Sequence, residues 1–332
     1  MKLGRFVVQG VDGASQRICM VLPEQSRVID LRKAEVLRQQ SRGATPEAAL
    51  RYAANVFPES MSAAIALGDE FLETAAEAAS RFGDDASLPF EGLQWGPACD
   101  PGIIRDGLTF VQHIRKFYEL FKVKPNEALL QVPGYYKGSP CTVIGHDAEV
   151  PWPPRVEQMD YELELGWVIG RRAHNVTPET ARSHLFGVTI FNDFSSRDLQ
   201  KLDVVMNMGP MKGKDFAYGI GPWITTIDEF PNLDNIRMTV RVNGETRGTG
   251  DTSDMLWTVE ELISWISLND YAQPGDVIGS GTMGNGCGFE QGRNLSPGDV
   301  VELEIEGIGI LRNRMGQPQT GGWWPTPRKP FL

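Results

Sequence analysis

The strongest constraint on the fold lies in residues 159–170, MDYELELGWVIG, where acidic and apolar residues alternate before an apolar end. Successive side chains of a β-strand point to opposite sides of the sheet. The apolar side chains therefore share one face, and Glu162 and Glu164 share the other, with Cα atoms roughly 6.5–7 Å apart. Two like charges at that distance repel each other unless water or a cation lies between them. The pattern predicts a strand with one buried face and leaves open whether the acidic face lies in water or binds a cation.

The order of strand and helix patterns predicts two domains. Short strand patterns near the N-terminus precede two helical stretches, the first capped by Thr45 and the second running over residues 59–82. Over residues 84–102 the periodicity is lost, and Gly, Pro and Asp accumulate. We therefore expect a small N-terminal domain over residues 1–90 and a larger metal-binding catalytic domain over residues 91–332.

Strand patterns dominate the larger domain. Asn243-Gly244 lies between alternating residues, which is a strong β-hairpin signal. Pro-Gly-Asp turns occur twice, each before a strand pattern. A helix is predicted over residues 107–122, with Asp106 as its N-cap. The expected class is α+β, with a mainly β C-terminal domain and a smaller α+β N-terminal domain.

Composition excludes several kinds of partner. A net charge of −11 argues against nucleic acid, because a protein that neutralises phosphates needs a basic surface. The longest apolar runs are far shorter than the ~18 residues that a membrane helix needs. The opening residues show no secretory or transit pattern, and the four cysteines form no CxxC pair. We therefore expect a cytoplasmic protein without a zinc site or disulfide framework.

A cluster of polar residues follows an apolar strand pattern that ends at Phe191. Asp193, Arg197 and Gln200 lie within ten residues of that end. Polar groups at the end of a buried strand often form sites, although a turn with surface ion pairs gives the same pattern. Lys214 follows in a glycine-flanked loop. The later segment GSGTMGNG is rich enough in glycine for a ligand to approach its backbone, but it lacks the ending of a phosphate-binding P-loop.

Five ordered segments carry a resemblance to a known family. They are RDGLTFVQH, MDYELELGWVIG, IFNDFSSRDLQ, GPMKGKDF and GSGTMGNG. In this order they resemble the fumarylacetoacetate hydrolase family over about residues 103–315, whereas residues 1–90 match its small N-terminal domain only loosely. The resemblance implies the mixed β-sheet roll of that family for the C-terminal domain, and a homodimer.

The resemblance also implies one divalent cation held by carboxylates. The positions that match the family's metal ligands are Asp106, Glu162, Glu164 and Asp193. An oxygen-only set of this kind suits Mg²⁺ or Ca²⁺, and also Mn²⁺, rather than Zn²⁺. With this context Glu162 and Glu164 are expected to face a cation rather than water.

The catalytic and substrate-binding residues implied by the resemblance lie in four of these segments and beyond them. The family's water-activating histidine falls on His113, and its partner glutamate falls on Glu290. The catalytic positions that match oxyanion-stabilising or substrate-contacting residues are Arg197, Gln200 and Lys214, and the substrate-binding positions are Tyr136 and Thr282.

The implied reaction is hydrolysis of a C–C bond in a 1,3-dicarbonyl or acylpyruvate-type acid, so the expected partner is a small anionic oxo acid. His113 favours hydrolysis, because hydrolytic members need an activated water, whereas decarboxylating and dehydrating relatives do not. The alternatives are a decarboxylase, isomerase or dehydratase of a 2-oxo acid on the same metal site, and a non-catalytic ligand-binding relative.

Overall fold

The computed structural model describes residues 1–11, 13–122 and 124–330. The strands are β1 (Lys2–Gly10), β2 (Gly13–Leu22), β3 (Arg27–Asp30), β4 (Ser87–Pro89), β5 (Ile104–Gly107), β6 (Tyr135–Gly138), β7 (Val143–Ile144), β8 (Glu149–Trp152), β9 (Met159–Asp160), β10 (Leu163–Ile169), β11 (Leu185–Asn192), β12 (Ser195–Ser196), β13 (Tyr218–Thr226), β14 (Arg237–Val242), β15 (Glu245–Asp251), β16 (Val277–Gly279), β17 (Val300–Ile305) and β18 (Gly309–Pro318). The helices are α1 (Leu31–Ser41), α2 (Pro46–Val56), α3 (Met61–Ile65), α4 (Asp69–Phe82), α5 (Val111–Phe121), α6 (Pro178–Ala181), α7 (Arg197–Val205) and α8 (Val259–Ser267). Across these described ranges, each helix is too short or too polar to cross a lipid bilayer.

One large mixed sheet joins strands from both ends of the chain. Its order is β4-β3-β2-β1-β13-β11-β10-β16-β5-β6, and β7 pairs with β13. β1 pairs antiparallel with β13, with Lys2 opposite Thr225, so the N-terminal strands extend the sheet of the C-terminal segment. β10 pairs antiparallel with β11 and β16, and β16 runs parallel to β5. The predicted α+β class with a mixed sheet is confirmed, and the sheet brings β5, β10, β11 and β16 side by side.

A smaller sheet, in the order β15-β14-β17-β18-β8, packs against the large one. The predicted hairpin joins β14 to β15 through Asn243 and Gly244, which have φ angles of 53° and 78°. Positive φ at both central residues is what a type I′ turn requires. Trp167 of the large sheet and Val240 and Leu303 of the smaller sheet lie in the same buried apolar cluster. This core fixes the face of the large sheet opposite to the acidic residues.

The N-terminal helices follow the prediction in one case and depart from it in another. α2 begins after Thr45, whose side chain accepts a hydrogen bond from Ala48 N, as predicted. The single helix expected over residues 59–82 is wrong, because the chain forms α3 and α4 instead. Gly68 between them has φ of 65° and ψ of −133°, which lies outside the helical region.

The helix predicted over residues 107–122 is wrong at its N-terminal end. Asp106 does not cap a helix but lies in β5, and α5 begins only at Val111. β5 pairs with β16 on one edge and with β6 on the other. These ladders satisfy the backbone groups of the segment, and tertiary pairing overrides the local helical pattern. The carboxylate of Asp106 therefore points towards its sheet neighbours, where its Oδ1 accepts a hydrogen bond from Gly281 N at 3.3 Å.

Candidate active site

Three buried carboxylates meet across four neighbouring strands of the large sheet, in the order β11-β10-β16-β5. Within the part of the chain that the structure describes, oxygen atoms of Asp106, Glu164 and Asp193 all lie within 4.8 Å of one another. Asp106 comes from β5, Glu164 from β10, and Asp193 directly follows β11. Each side chain is buried. The fold therefore gathers three of the four residues that match metal ligands; we call them the carboxylate cluster.

The carboxylate cluster is electrostatically costly without a positive charge. Burial raises the pKa of Asp106, Glu164 and Asp193 above their ordinary values. Neighbouring carboxylates raise the pKa of Glu164 and of Asp193 further. Buried groups of like charge favour either protonation or a cation between them. Because all the donors are carboxylate oxygens, the matching ion is a hard divalent cation.

Two further observations show that the cluster fits a cation. Asp193 Oδ1 is buried and has no hydrogen-bond partner among the described residues, and leaving such an atom unsatisfied costs about 1–3 kcal/mol. A Cβ atom at Gly279 would lie 2.3 Å from Asp106 Oδ1 and 2.7 Å from Glu164 Oε2. Only glycine at this position leaves the approach to both carboxylates open.

Glu162 lies beside the carboxylate cluster and pairs with two cationic side chains. Arg197 Nη2 is 2.8 Å from Glu162 Oε1, and Lys214 Nζ is 2.5 Å from Oε2. Burial raises the pKa of Glu162, but the charges of Lys214, Arg197 and His113 outweigh burial and hold that pKa below its ordinary value. Both Glu162 and Glu164 are buried, so a strand with its acidic face in water is excluded. That Glu162 is a fourth metal ligand stays a prediction.

Lys214 is buried among acceptors. Besides Glu162, its Nζ donates to Asp193 Oδ2 at 2.5 Å and to Ser195 Oγ at 2.7 Å. Burial lowers the pKa of Lys214, but the charges of Asp193 and Glu162 raise it above its ordinary value, so the lysine stays charged. A Cβ atom at Gly213 would lie 2.6 Å from Gln200 N, which shows how closely the glycine-flanked loop packs on α7. The role of Lys214 towards an anionic substrate stays a prediction.

Asp160 is a buried acid that the sequence reasoning missed. Arg197 donates from Nε and Nη2 to Asp160 Oδ2 at 2.9 and 2.6 Å. Arg197 Nη1 also donates to Gln200 Oε1 at 2.8 Å. Asp160 Oδ1 accepts from Gly288 N at 2.7 Å. Asp160 therefore ties Arg197 to the segment that carries Glu290.

His113 and Glu290 form a close pair. His113 Nδ1 lies 2.6 Å from Glu290 Oε1, across 177 residues of sequence. The histidine lies on α5, and the glutamate lies in a 3-10 turn, Phe289–Gln291. The glutamate side chain is 2% exposed and the histidine side chain 13%. A buried carboxylate in this position orients the imidazole.

The two predicted substrate-binding residues both contact the carboxylate cluster. Tyr136 Oη donates to Asp193 Oδ2 at 2.8 Å, and Thr282 Oγ1 donates to Glu164 Oε1 at 3.3 Å. Burial raises the pKa of Tyr136 well above its ordinary value, so the phenol is a hydrogen-bond donor. The structure brings both residues to the cluster, and their role towards a substrate stays a prediction.

Comparison with known proteins identifies the same segments. The family model described as "Fumarylacetoacetate (FAA) hydrolase C-terminal" matches residues 102–316. Oxaloacetate tautomerase YisK of Bacillus subtilis (strain 168) is 37% identical over 186 residues, which are 55% of this chain and 61% of that protein. The chain therefore spans less than two thirds of that relative's length.

Two solved structures share the architecture almost end to end. Fumarylacetoacetate hydrolase from the psychrophilic Exiguobacterium antarcticum is 26% identical with a TM-score of 0.65, covering 95% of this chain and 99% of that one. Maleylpyruvate hydrolase from Sphingobium sp. SYK-6, in complex with manganese (II) ion and pyruvate, is 22% identical with a TM-score of 0.69. That comparison covers 96% of this chain and 100% of the other. At 22% identity the likeness shows the fold alone.

Proposed function

The chain belongs to the fumarylacetoacetate hydrolase family, and from this premise we propose that it is a divalent-metal-dependent hydrolase. Its substrate is a small anionic acid of the 1,3-dicarbonyl or acylpyruvate type, and the reaction cleaves a C–C bond. The observation that carries the proposal is the pair of His113 and Glu290, whose side chains lie 2.6 Å apart. A histidine oriented by a buried carboxylate is an arrangement that activates water.

In this proposal Asp106, Glu164 and Asp193 hold the cation, with Glu162 as a fourth ligand. When bound, a divalent cation supplies positive charge that polarises the oxo and carboxylate oxygens of the substrate. Mg²⁺, Ca²⁺ and Mn²⁺ all suit the oxygen donors. Support comes from maleylpyruvate hydrolase, the neighbour with manganese (II) and pyruvate, because pyruvate is the 2-oxo acid that hydrolysis of an acylpyruvate releases.

His113 is the general base on water. In the tautomer that this reaction uses, His113 Nδ1–H donates a hydrogen bond to Glu290 Oε1, which leaves Nε2 to take a proton from water. The water oxygen bonds to the carbonyl carbon distal to the 2-oxo acid, and the C–C bond to the pyruvyl carbon then breaks. The proton held by His113 passes to the carbon that leaves, so the atoms balance: one water is consumed and two acids are released.

Arg197, Gln200 and Lys214 stabilise the oxygen that becomes negative during water attack. Arg197 and Lys214 carry the positive charge. Because Gln200 uses its Oε1 to accept from Arg197, its amide N–H groups remain to donate to the substrate. Asp160 holds the guanidinium of Arg197 in place for this task.

A second candidate is a tautomerase or isomerase of a 2-oxo acid, favoured by the 37% identity to oxaloacetate tautomerase. On this alternative the same pair would move a proton between carbon and oxygen without consuming water. The carboxylate cluster would serve both reactions equally.

Product identification separates these candidates. The protein would be incubated with Mg²⁺ or Mn²⁺ and a panel of acylpyruvates and oxaloacetate, and the products identified by mass spectrometry and NMR. Two acids from an acylpyruvate support hydrolysis. A keto–enol change without new products supports the tautomerase, CO₂ supports a decarboxylase, and no turnover across the panel supports a ligand-binding relative. Light scattering on the same preparation tests the homodimer that the family resemblance implies.

A further inference from the structure

A second group of donor side chains lies at the histidine–glutamate pair, apart from the carboxylate cluster. Donor atoms of His113, Cys287 and Glu290 all lie within 4.8 Å of one another. An isolated β-bridge pairs Cys287 with Glu162, and this bridge places the thiol beside the pair. The cysteine spacing in the sequence gives no sign of such a site, because its donors come from distant segments.

The donor set differs in kind from the carboxylate cluster. It offers an imidazole nitrogen, a thiol sulfur and a carboxylate oxygen, the three kinds of ligand that Zn²⁺ takes from proteins. A softer sulfur ligand selects Zn²⁺ over Mg²⁺, which prefers oxygen alone. Three protein ligands leave a fourth tetrahedral position for water.

An unsatisfied buried atom points to a cation. Glu290 Oε2 is buried without a hydrogen-bond partner in the regions that the structure describes, while Oε1 faces His113. The 13% exposure of the His113 side chain gives a path from solvent.

We propose that His113, Cys287 and Glu290 form an inhibitory site for a thiophilic divalent cation such as Zn²⁺. Coordination occupies the imidazole that would otherwise accept a proton from water. The S–H bond of Cys287 breaks, a sulfur–metal bond forms, and the proton passes to solvent. Binding itself is independent of the proposed reaction, and only the inhibition rests on His113 as the base.

The test compares the wild type with Cys287→Ser, both saturated with Mg²⁺. We expect Zn²⁺ to inhibit the wild type, and the variant to retain its Mg²⁺-supported activity. The Zn²⁺ concentration for half-inhibition should rise at least about 10-fold in the variant, since perturbing even the surroundings of metal ligands costs 10–100-fold in affinity. Cys141→Ser, at an exposed cysteine, is the matched control and should behave as wild type.

Spectroscopy tests the site without any turnover. Co²⁺ added to the Mg²⁺-saturated wild type should give a thiolate-to-Co²⁺ charge-transfer absorption, and Cys287→Ser should lose it. If the wild type binds Co²⁺ without this absorption, the proposal is wrong whether or not the variant folds. Equal Zn²⁺ inhibition of wild type and variant would also overturn it, because the ion would then act at the carboxylate cluster. If the protein shows the absorption but does not hydrolyse acylpyruvates, the proposed function is wrong and the metal site of His113, Cys287 and Glu290 is supported.

Discussion

The carboxylate cluster and the histidine–glutamate pair rest on different kinds of element. Every residue of β10 and β11 is buried, so Glu164 and Asp193 project from the centre of the core. α5, which carries His113, has no fully buried residue among its described side chains. Packing fixes the geometry of the carboxylates more tightly than that of the base. Cation binding and proton transfer should therefore be separable by mutation.

Glu164→Ala should have the largest effect. The substitution removes one of the three carboxylates of the cluster, so both cation binding and activity should be lost. The protein should stay folded, because the substitution also removes a buried acidic group that is costly to bury. Calorimetric titration with Mg²⁺ and circular dichroism measure the two properties. Glu24→Ala, which removes an exposed acid, is the control and should match wild type. Unchanged Mg²⁺ affinity in Glu164→Ala would refute the site.

His113→Ala should separate the two regions. The variant should bind Mg²⁺ with wild-type affinity but lose on the order of 10²–10⁴-fold in kcat, the usual contribution of a positioned base. Arg115→Ala, an exposed position on the same helix, should leave both values unchanged. A near-wild-type rate in His113→Ala would leave the histidine as a packed helix residue and favour the isomerase or decarboxylase alternatives.

The contrast between core strand and peripheral helix also predicts a difference in stability. Ile190→Ala in β11 removes a fully buried side chain and should lower the free energy of unfolding by about 2–5 kcal/mol. Ile114→Ala in α5 truncates a half-buried side chain and should cost less than about 1 kcal/mol. Denaturant unfolding measures both. Equal losses would mean that α5 is as much a part of the core as β11.

Removing the cation should have the smallest effect of the four changes, namely a loss of stability that depends on pH. A carboxyl whose pKa is raised on folding stabilises the fold below its unfolded pKa, and this contribution is lost as the pH rises through the folded pKa. The raised pKa values of Asp106, Glu164 and Asp193 therefore make the metal-free protein less stable as the pH rises above the acidic range. The stabilisation by saturating Mg²⁺ should grow over the same range. Melting curves recorded with Mg²⁺ and with a chelator give the difference in melting temperature at each pH, and the contributions of other titrating groups cancel in this difference. A difference that stays constant with pH would contradict the cation site.

Local patterns predicted the strand-borne part of the site. Strand alternation predicted a common face for Glu162 and Glu164, although β10 begins only at Leu163 and Glu162 lies in an isolated bridge with Cys287. Asn243-Gly244 predicted a hairpin in the correct place. The same alternation also puts Asp160 on that face, two residues before Glu162, so this residue could have been found.

Features that depend on distant segments could not be read from local patterns. In the sequence Asp106 has the pattern of a helix cap. In the structure it lies in a strand, because β16 and β6 pair on either side of β5. α1 was not predicted, and its buried Arg38 forms an ion pair with Glu77 of the distant helix α4. Cys287 gains its neighbours only in the fold. Sequence segments therefore indicated which residues belong to the candidate site, and pairing between distant segments determined which of them lie together.

Hydrolysis in water enriched with ¹⁸O tests the central claim most directly. If the region around His113 delivers an activated water to the distal carbonyl, one ¹⁸O atom should enter the carboxylate of the acid released from that side. Mass spectrometry of this product avoids the pyruvate carbonyl, which exchanges with solvent. With the wild type, one label per turnover should enter that carboxylate. In His113→Ala the rate of labelling should fall together with kcat. Turnover that places no ¹⁸O in a new carboxylate would contradict hydrolysis and assign the pair of His113 and Glu290 to proton transfer in a tautomerase or isomerase.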